Sequence, residues 1–148
     1  MQGHVVALLA AHNITVEWQE GYTGRSWRRK RHVKLRPVRG TGSYYIALHE
    51  VGHIVGKRQG YAIRRLDKEA YAWQWALDNA LCPPDARAAR SIGTGLHSYL
   101  LWAWHRQDRK RGRPWLPPRQ HLFWQLYLRY YSNRTDYEPR VYMDLVLG

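Results

Sequence analysis

The chain has 148 residues, 45% of them hydrophobic, enough for one domain that buries about two thirds of the surface its unfolded form exposes. No apolar run approaches the ~18 residues of a transmembrane helix, so the sequence predicts no membrane partner. A net charge of +13, from 24 Lys and Arg against 11 Asp and Glu, favours nucleic acid, acidic proteins or another acidic surface as a partner and does not choose among them.

Residues 2–12 read as a short helix with Val5, Val6, Leu8 and Leu9 on its apolar side and Asn13 as a stop. No basic stretch and small-residue cleavage site frame it, so a signal peptide is not expected. Ile14 to Trp18 alternates apolar and polar, the mark of a half-buried strand. Gly21 to Gly24 is a turn. The basic run from Arg25 to His32 follows, with Trp27 inside it. It reads either as a solvated hairpin loop or as a nucleic-acid contact, with Arg28 and Arg29 on phosphate and a base stacked on Trp27. His32 to Val38 alternates again. Val33 and Leu35 face the core, and Lys34 and Arg36 face a substrate or nucleic acid. Pro37 cannot donate to a ladder, so this segment is expected as a basic edge strand able to pair with an extended peptide.

Tyr44 to Gly56 contains His49-Glu50-Val51-Gly52-His53, a His-Glu-x-x-His pattern inside an apolar helix capped by Ser43 or Thr41. Four residues apart on a helix, His49 and His53 share one face and can hold one Zn²⁺, with Glu50 beside it as general base. Gly52, between the two histidines, is a poor helix former, which implies close packing against that face.

Gly60 suits a helix C-cap. A second helix runs from Arg65 to Leu81 on the spacing of Leu66, Ala70, Trp73, Leu77 and Ala80, and Pro83-Pro84 ends it. The lone Cys82 has no disulfide partner, fits a reducing cytosol and is expected as a half-buried structural thiol. Asp85 caps a third helix that Gly93 and Gly95 interrupt. Leu96 to Arg109 is helical again. Arg109 to Pro114 with Pro117-Pro118 forms a linker, Arg119 to Tyr131 a last helix, and Val141 to Leu147 a strand or tail.

A catalytic zinc needs three protein ligands and an open position. The longer pattern His-Glu-x-x-His-x-x-Gly-x-x-His fails here, because Gln59 holds the last position. Glu69, in the first turns of the second helix, is the leading third ligand. Asp67 competes with it, and His97 and His105 are alternatives from the third helix. Tyr71, His97 and Tyr99 are candidate oxyanion donors.

The run Glu69-Ala70-Tyr71-Ala72-Trp73-Gln74-Trp75-Ala76, following His-Glu-x-x-His, resembles the Glu-Ala-Asn-x-Phe-Ala signature of the ImmA/IrrE-type metallopeptidases. These are small gluzincin-like zinc proteins of bacteria and phages. The resemblance covers roughly residues 1–81. Tyr71 stands where that family has Asn, and Trp73 where it has Phe. It implies His49, His53 and Glu69 as zinc ligands and Glu50 as catalytic base. It also implies limited cleavage of a specific regulatory, DNA-associated protein in the cytoplasm, that of a host cell if the chain is phage-encoded. The expected fold is α+β and mostly helical: a minimal zincin-like core over 1–81 with a small N-terminal sheet or hairpin, and helices of 82–148 packed on it in one compact domain. Two other functions remain open: a catalytically silent zinc-fold protein that docks to a host or viral protein, and a basic nucleic-acid-binding module with a structural metal.

Overall fold

A computed structural model describes residues 1–56, 64–108 and 116–131 of the chain, without the side chains of 106–108. Among them are five helices and three short strands, an α+β fold dominated by helix: α1 (Gln2–Ala11), β1 (Thr15–Trp18), β2 (Arg25–Trp27), β3 (His32–Leu35), α2 (Thr41–Val55), α3 (Arg65–Asn79), α4 (Ala86–Asp108) and α5 (Leu122–Tyr131). The expected cap at Gly60, the basic part of the linker (Arg109 to Pro114) and the segment from Val141 to Leu147 lie outside the described residues.

Asn13 ends α1 as its sequence position implies. It takes φ +53°, its N–H donates to Ala10, and the N–H of Ile14 donates back to Leu9, so the last carbonyls of the helix are satisfied. The chain then enters a three-stranded sheet of order β1-β3-β2. β1 runs parallel to β3, with Glu17 opposite Lys34, and β2 runs antiparallel to it, with Ser26 opposite Val33. This corrects the expected edge strand: His32 to Leu35 is the central strand, and β1 and β2 form the edges. Lys34 and Arg36 therefore do not flank an open ladder. Val33 and Leu35 do face the core, and Lys34 pairs with Glu17 at 3.1 Å across the ladder.

α2 begins at Thr41, with extended Gly40 as its N-cap. Ser43, expected as a cap, sits inside the first turn, where its hydroxyl oxygen accepts the N–H groups of Arg39 and Gly40. The Thr41 hydroxyl instead donates to Asp85 at 2.7 Å, and Asp85 accepts the N–H of Ala88 at 2.9 Å. Asp85 thus caps α4 and ties it to the start of α2.

The third helix is not interrupted. α4 is continuous through Gly93 and Gly95 because both glycines are packing positions: a Cβ on Gly93 would stand 2.5 Å from the Tyr130 carbonyl oxygen, and one on Gly95 3.1 Å from the Trp73 ring. α5 starts later than its sequence suggests, at Leu122, with His121 Nδ1 accepting the Phe123 N–H at 3.0 Å. Pro117 is drawn into the packing, its carbonyl accepting the Trp124 indole N–H at 2.8 Å. Cys82 is exposed rather than half-buried, because the chain has already left α3 there.

One continuous core joins these elements. Tyr44, Leu48 and Val51 of α2, Leu66, Ala70 and Trp73 of α3, Ile92, Leu96 and Leu100 of α4, and Phe123, Trp124 and Tyr127 of α5 belong to a single cluster. α4 packs on both α2 and α3, and α5 on α3 and α4, so these two helices complete the core begun before residue 82. No helix among the described residues is long and apolar enough to cross a membrane.

Candidate metal centre

His49, Gly52 and His53 share the face of α2 that meets α3, one turn apart. A Cβ on Gly52 would stand 2.6 Å from the Ala72 carbonyl oxygen, so the two backbones touch at this point. Ala72 lies three residues after Glu69 on the same face of α3, and their contact brings the Glu69 side chain onto both imidazoles.

The Nε2 atoms of His49 and His53 stand 3.0 Å apart. Glu69 Oε2 lies 3.0 Å from His49 Nε2, and Oε1 lies 3.3 Å from His53 Nε2. One donor atom from each of the three residues falls within 4.8 Å of the others, so this group could hold a metal ion. Glu69 has 0% exposure and His49 6%, which takes the site out of bulk water. The His49 ring stacks on Trp73, with centroids 3.9 Å apart and planes at 24°, and meets the His53 ring nearly edge-on at 4.4 Å. Trp73 thereby fixes the plane in which His49 presents Nε2.

The electrostatics follow from that crowding. Burial pushes the Glu69 carboxyl up, but hydrogen bonds to His49 and His53 and the charges of both rings outweigh it and hold it at about 2. Burial lowers His53, whereas its hydrogen bond to Glu69 and the charges of Glu69 and Glu50 raise it more; Arg65 opposes them, and the net direction is upward. Even so, neither Glu69 oxygen has a hydrogen bond of ordinary geometry, and His49 Nδ1 is buried without a partner. A buried carboxylate faced mainly by two imidazole nitrogens is a costly arrangement, and a cation among the three donor atoms relieves it. The donor set therefore fits a metal ion.

Glu50, the next residue of α2, is half-buried beside the cluster. Gly24 covers it: a Cβ there would meet Glu50 Cγ at 3.0 Å and Oε1 at 3.2 Å. Gly24 also takes φ +155°, a backbone geometry that disfavours any side chain. In the sequence Gly24 reads only as part of a turn, because nothing local signals its approach to α2.

The oxyanion candidates separate. Burial raises the Tyr99 hydroxyl pKa, and the charges of Glu69 and Glu50 and a hydrogen bond to Glu69 raise it further against the opposing charge of Arg65. The Arg65 guanidinium lies over the Tyr99 ring, 5.2 Å from its centroid. His97 is instead built into the packing of α4 on α5, stacked on Tyr131 at 4.2 Å and within 3.1 Å of the Tyr127 hydroxyl. Tyr71 packs edge-on to His121 at 6.4 Å, about 200° round α3 from Glu69. Asp67 is likewise engaged elsewhere, 2.6 Å from His121 Nε2 and accepting the Arg64 N–H, and His105 is exposed on α4.

Of the basic-strand residues, Lys34 lies over the Tyr22 ring at 5.0 Å besides pairing with Glu17. Trp27 has the Arg25 guanidinium 5.1 Å above it and His32 at 5.5 Å beside it; Arg28 is half-buried and Arg29 exposed. Arg36 Nε is buried without a hydrogen-bond partner. No protein-family model, no curated protein and no solved structure matches the chain.

Proposed function

We propose that this chain is a zinc-dependent metallopeptidase that makes limited cleavages in a specific protein. The observation that carries the reading is the grouping of buried His49 and Glu69 with part-buried His53, and half-buried Glu50 next to His49 on α2. Three donors bound at about 2.0–2.1 Å in a tetrahedron stand roughly 3.3 Å from one another. The two nitrogens stand 3.0 Å apart, and each faces a different oxygen of the Glu69 carboxylate, at 3.0 and 3.3 Å, all within a few tenths of an ångström of that figure. Two histidine nitrogens and one carboxylate, with no fourth protein ligand in the group among the described residues, are the donor set of catalytic rather than structural zinc. The likeness of Glu69-Ala70 and the residues after it to the ImmA/IrrE signature supports the same assignment.

A bound zinc would supply Lewis acidity, polarising a scissile carbonyl and lowering the pKa of a water molecule. Glu50 would then take a proton on its carboxylate and deliver it to the leaving amine. The Tyr99 hydroxyl is suited to donate to the developing oxyanion, whereas Tyr71 and His97 have other partners. Trp73 would keep the His49 ring in register and water away from its rear face. A regulatory, DNA-associated protein in the cytoplasm is the substrate class that the resemblance suggests, and the +13 chain would reach it by electrostatic attraction.

The test combines metal analysis with a cleavage profile on a peptide library read by mass spectrometry. The native chain should carry about one zinc and cut a narrow set of peptides. Glu50→Gln should keep the zinc and cut none. A Glu50→Gln chain that cuts as well as the native one, or a native chain that takes up no zinc when supplied with it, contradicts the assignment.

A further inference from the structure

A second site lies at the opposite end of α2 from the metal-ligand trio. A cavity of about 420 Å³ is walled by Arg36, Arg39 and Arg87, with Gly42, Ser43 and Ser91 beside them. That volume falls within the ~300–1,000 Å³ of small-molecule sites. Three arginines contribute to this wall, and one of them, Arg36, has an Nε that is buried with no hydrogen-bond partner. Glu20 also lines the cavity and is ion-paired with Arg39, which leaves two of the three positive charges uncompensated by it.

The backbone adds to the attraction. α2 is 15 residues long and starts at Thr41, so its first turn, which carries the positive end of its dipole, borders the cavity at Gly42 and Ser43. The start of α4 lies alongside, tied by the hydrogen bond from Thr41 to Asp85. A Cβ on Gly42 would stand 3.3 Å from Ser91 Oγ, so the two helices close one wall of the cavity there. His49 is seven residues further along α2, about 10 Å of helix rise, so the cavity is separate from the cluster of His49, His53 and Glu69.

We infer that this cavity binds a phosphoryl group, carried by a small phosphate monoester or as inorganic phosphate. A planar guanidinium presents paired N–H donors that match phosphate oxygens, and a helix N-terminus offers N–H groups to the same anion. The cavity exceeds what phosphate alone fills, which leaves room for the organic part of a monoester. The assignment is independent of the peptidase reading and survives its failure.

Calorimetric titration of the full chain at low ionic strength, without added metal, tests it with inorganic phosphate and with adenosine monophosphate. One saturable site per chain is expected. Arg36→Gln and Arg87→Gln should each weaken it about tenfold or more, the loss expected when a charged hydrogen-bond donor is removed. Arg29→Gln, on the exposed turn after β2, should leave it unchanged. Tighter binding of the monoester assigns the ligand to that source, and equal affinity assigns free phosphate. Arg87 is exposed, so its variant keeps the test valid should Arg36→Gln unfold. No saturable heat up to about 10 mM of either probe, or equal loss in all three variants, overturns the site. Binding of a single-stranded oligonucleotide with neither small probe bound also overturns it, and would assign the charge to a nucleic-acid backbone instead.

Discussion

Gly52 and Ala72 meet backbone to backbone: a Cβ on Gly52 would lie 2.6 Å from the Ala72 carbonyl oxygen and 3.2 Å from its Cα. Neither residue carries chemistry, yet their contact sets the separation of α2 and α3. His49 stands one turn before Gly52, His53 directly after it and Glu69 one turn before Ala72, and their donor atoms converge because the helices approach so closely.

Gly52→Ala should therefore separate the site before it unfolds the chain. The added methyl meets backbone, which cannot rotate away as a side chain can. A stability loss of about 1–3 kcal/mol is expected, the usual cost of overpacking, together with a tenfold or greater loss of zinc affinity. Thermal denaturation and competition with a chromogenic chelator measure the two effects. Native zinc affinity in the variant would show that the contact does not position Glu69.

Removing a ligand should remove the stabilisation that metal confers. At zinc about a hundredfold above its dissociation constant the native chain gains about 2.7 kcal/mol, or roughly 5–10 °C in Tm for a domain of this size. His53→Ala and Glu69→Gln should show almost none of that shift on zinc addition. Differential scanning calorimetry with zinc and with chelator makes the comparison. Identical melting of the native chain in both conditions would count against the site.

The pH dependence of the metal-free protein has two limbs. Glu69 is held at about 2 against an ordinary 4.5, so its contribution is complete above 4.5 and disappears as pH falls toward 2. His53 is raised above 6.5, so its contribution is complete below 6.5 and is lost as pH climbs through the raised value. Metal-free stability should therefore peak between about 4.5 and 6.5. Zinc affinity should increase above that window, because a ligating imidazole must give up its proton. Urea midpoints collected from pH 3 to 9 with chelator present check the first statement. Metal-free stability that increases steadily from pH 6 to 8 would contradict it.

Tyr99→Phe should act on turnover rather than on metal. Loss of one oxyanion donor costs about 3–4 kcal/mol in the transition state, roughly 10²- to 10³-fold in kcat, with KM little changed. Zinc content should equal that of the native chain, since Tyr99 is not one of the three grouped donors. A fall in zinc content that matches the fall in kcat would make Tyr99 a packing residue instead.

What the sequence determined by itself was local. The spacing of His49 and His53, the stop at Asn13, the alternation of β1 and β3 and the apolar face of α3 follow from periods of two and 3.6 residues and from short-range hydrogen bonds. Gly52 was legible too, since a helix-weakening residue between two candidate ligands implies a close neighbour. Tertiary structure alone decided the rest. It grouped Glu69 with the two histidines and left Asp67, His97 and His105 engaged or exposed elsewhere. It made β3 a central strand, carried α4 unbroken through Gly93 and Gly95, and set Trp73 against His49. Each of those outcomes depends on contacts between residues distant along the chain. Backbone approach and burial are properties of packed surfaces, and no local pattern of residues encodes them.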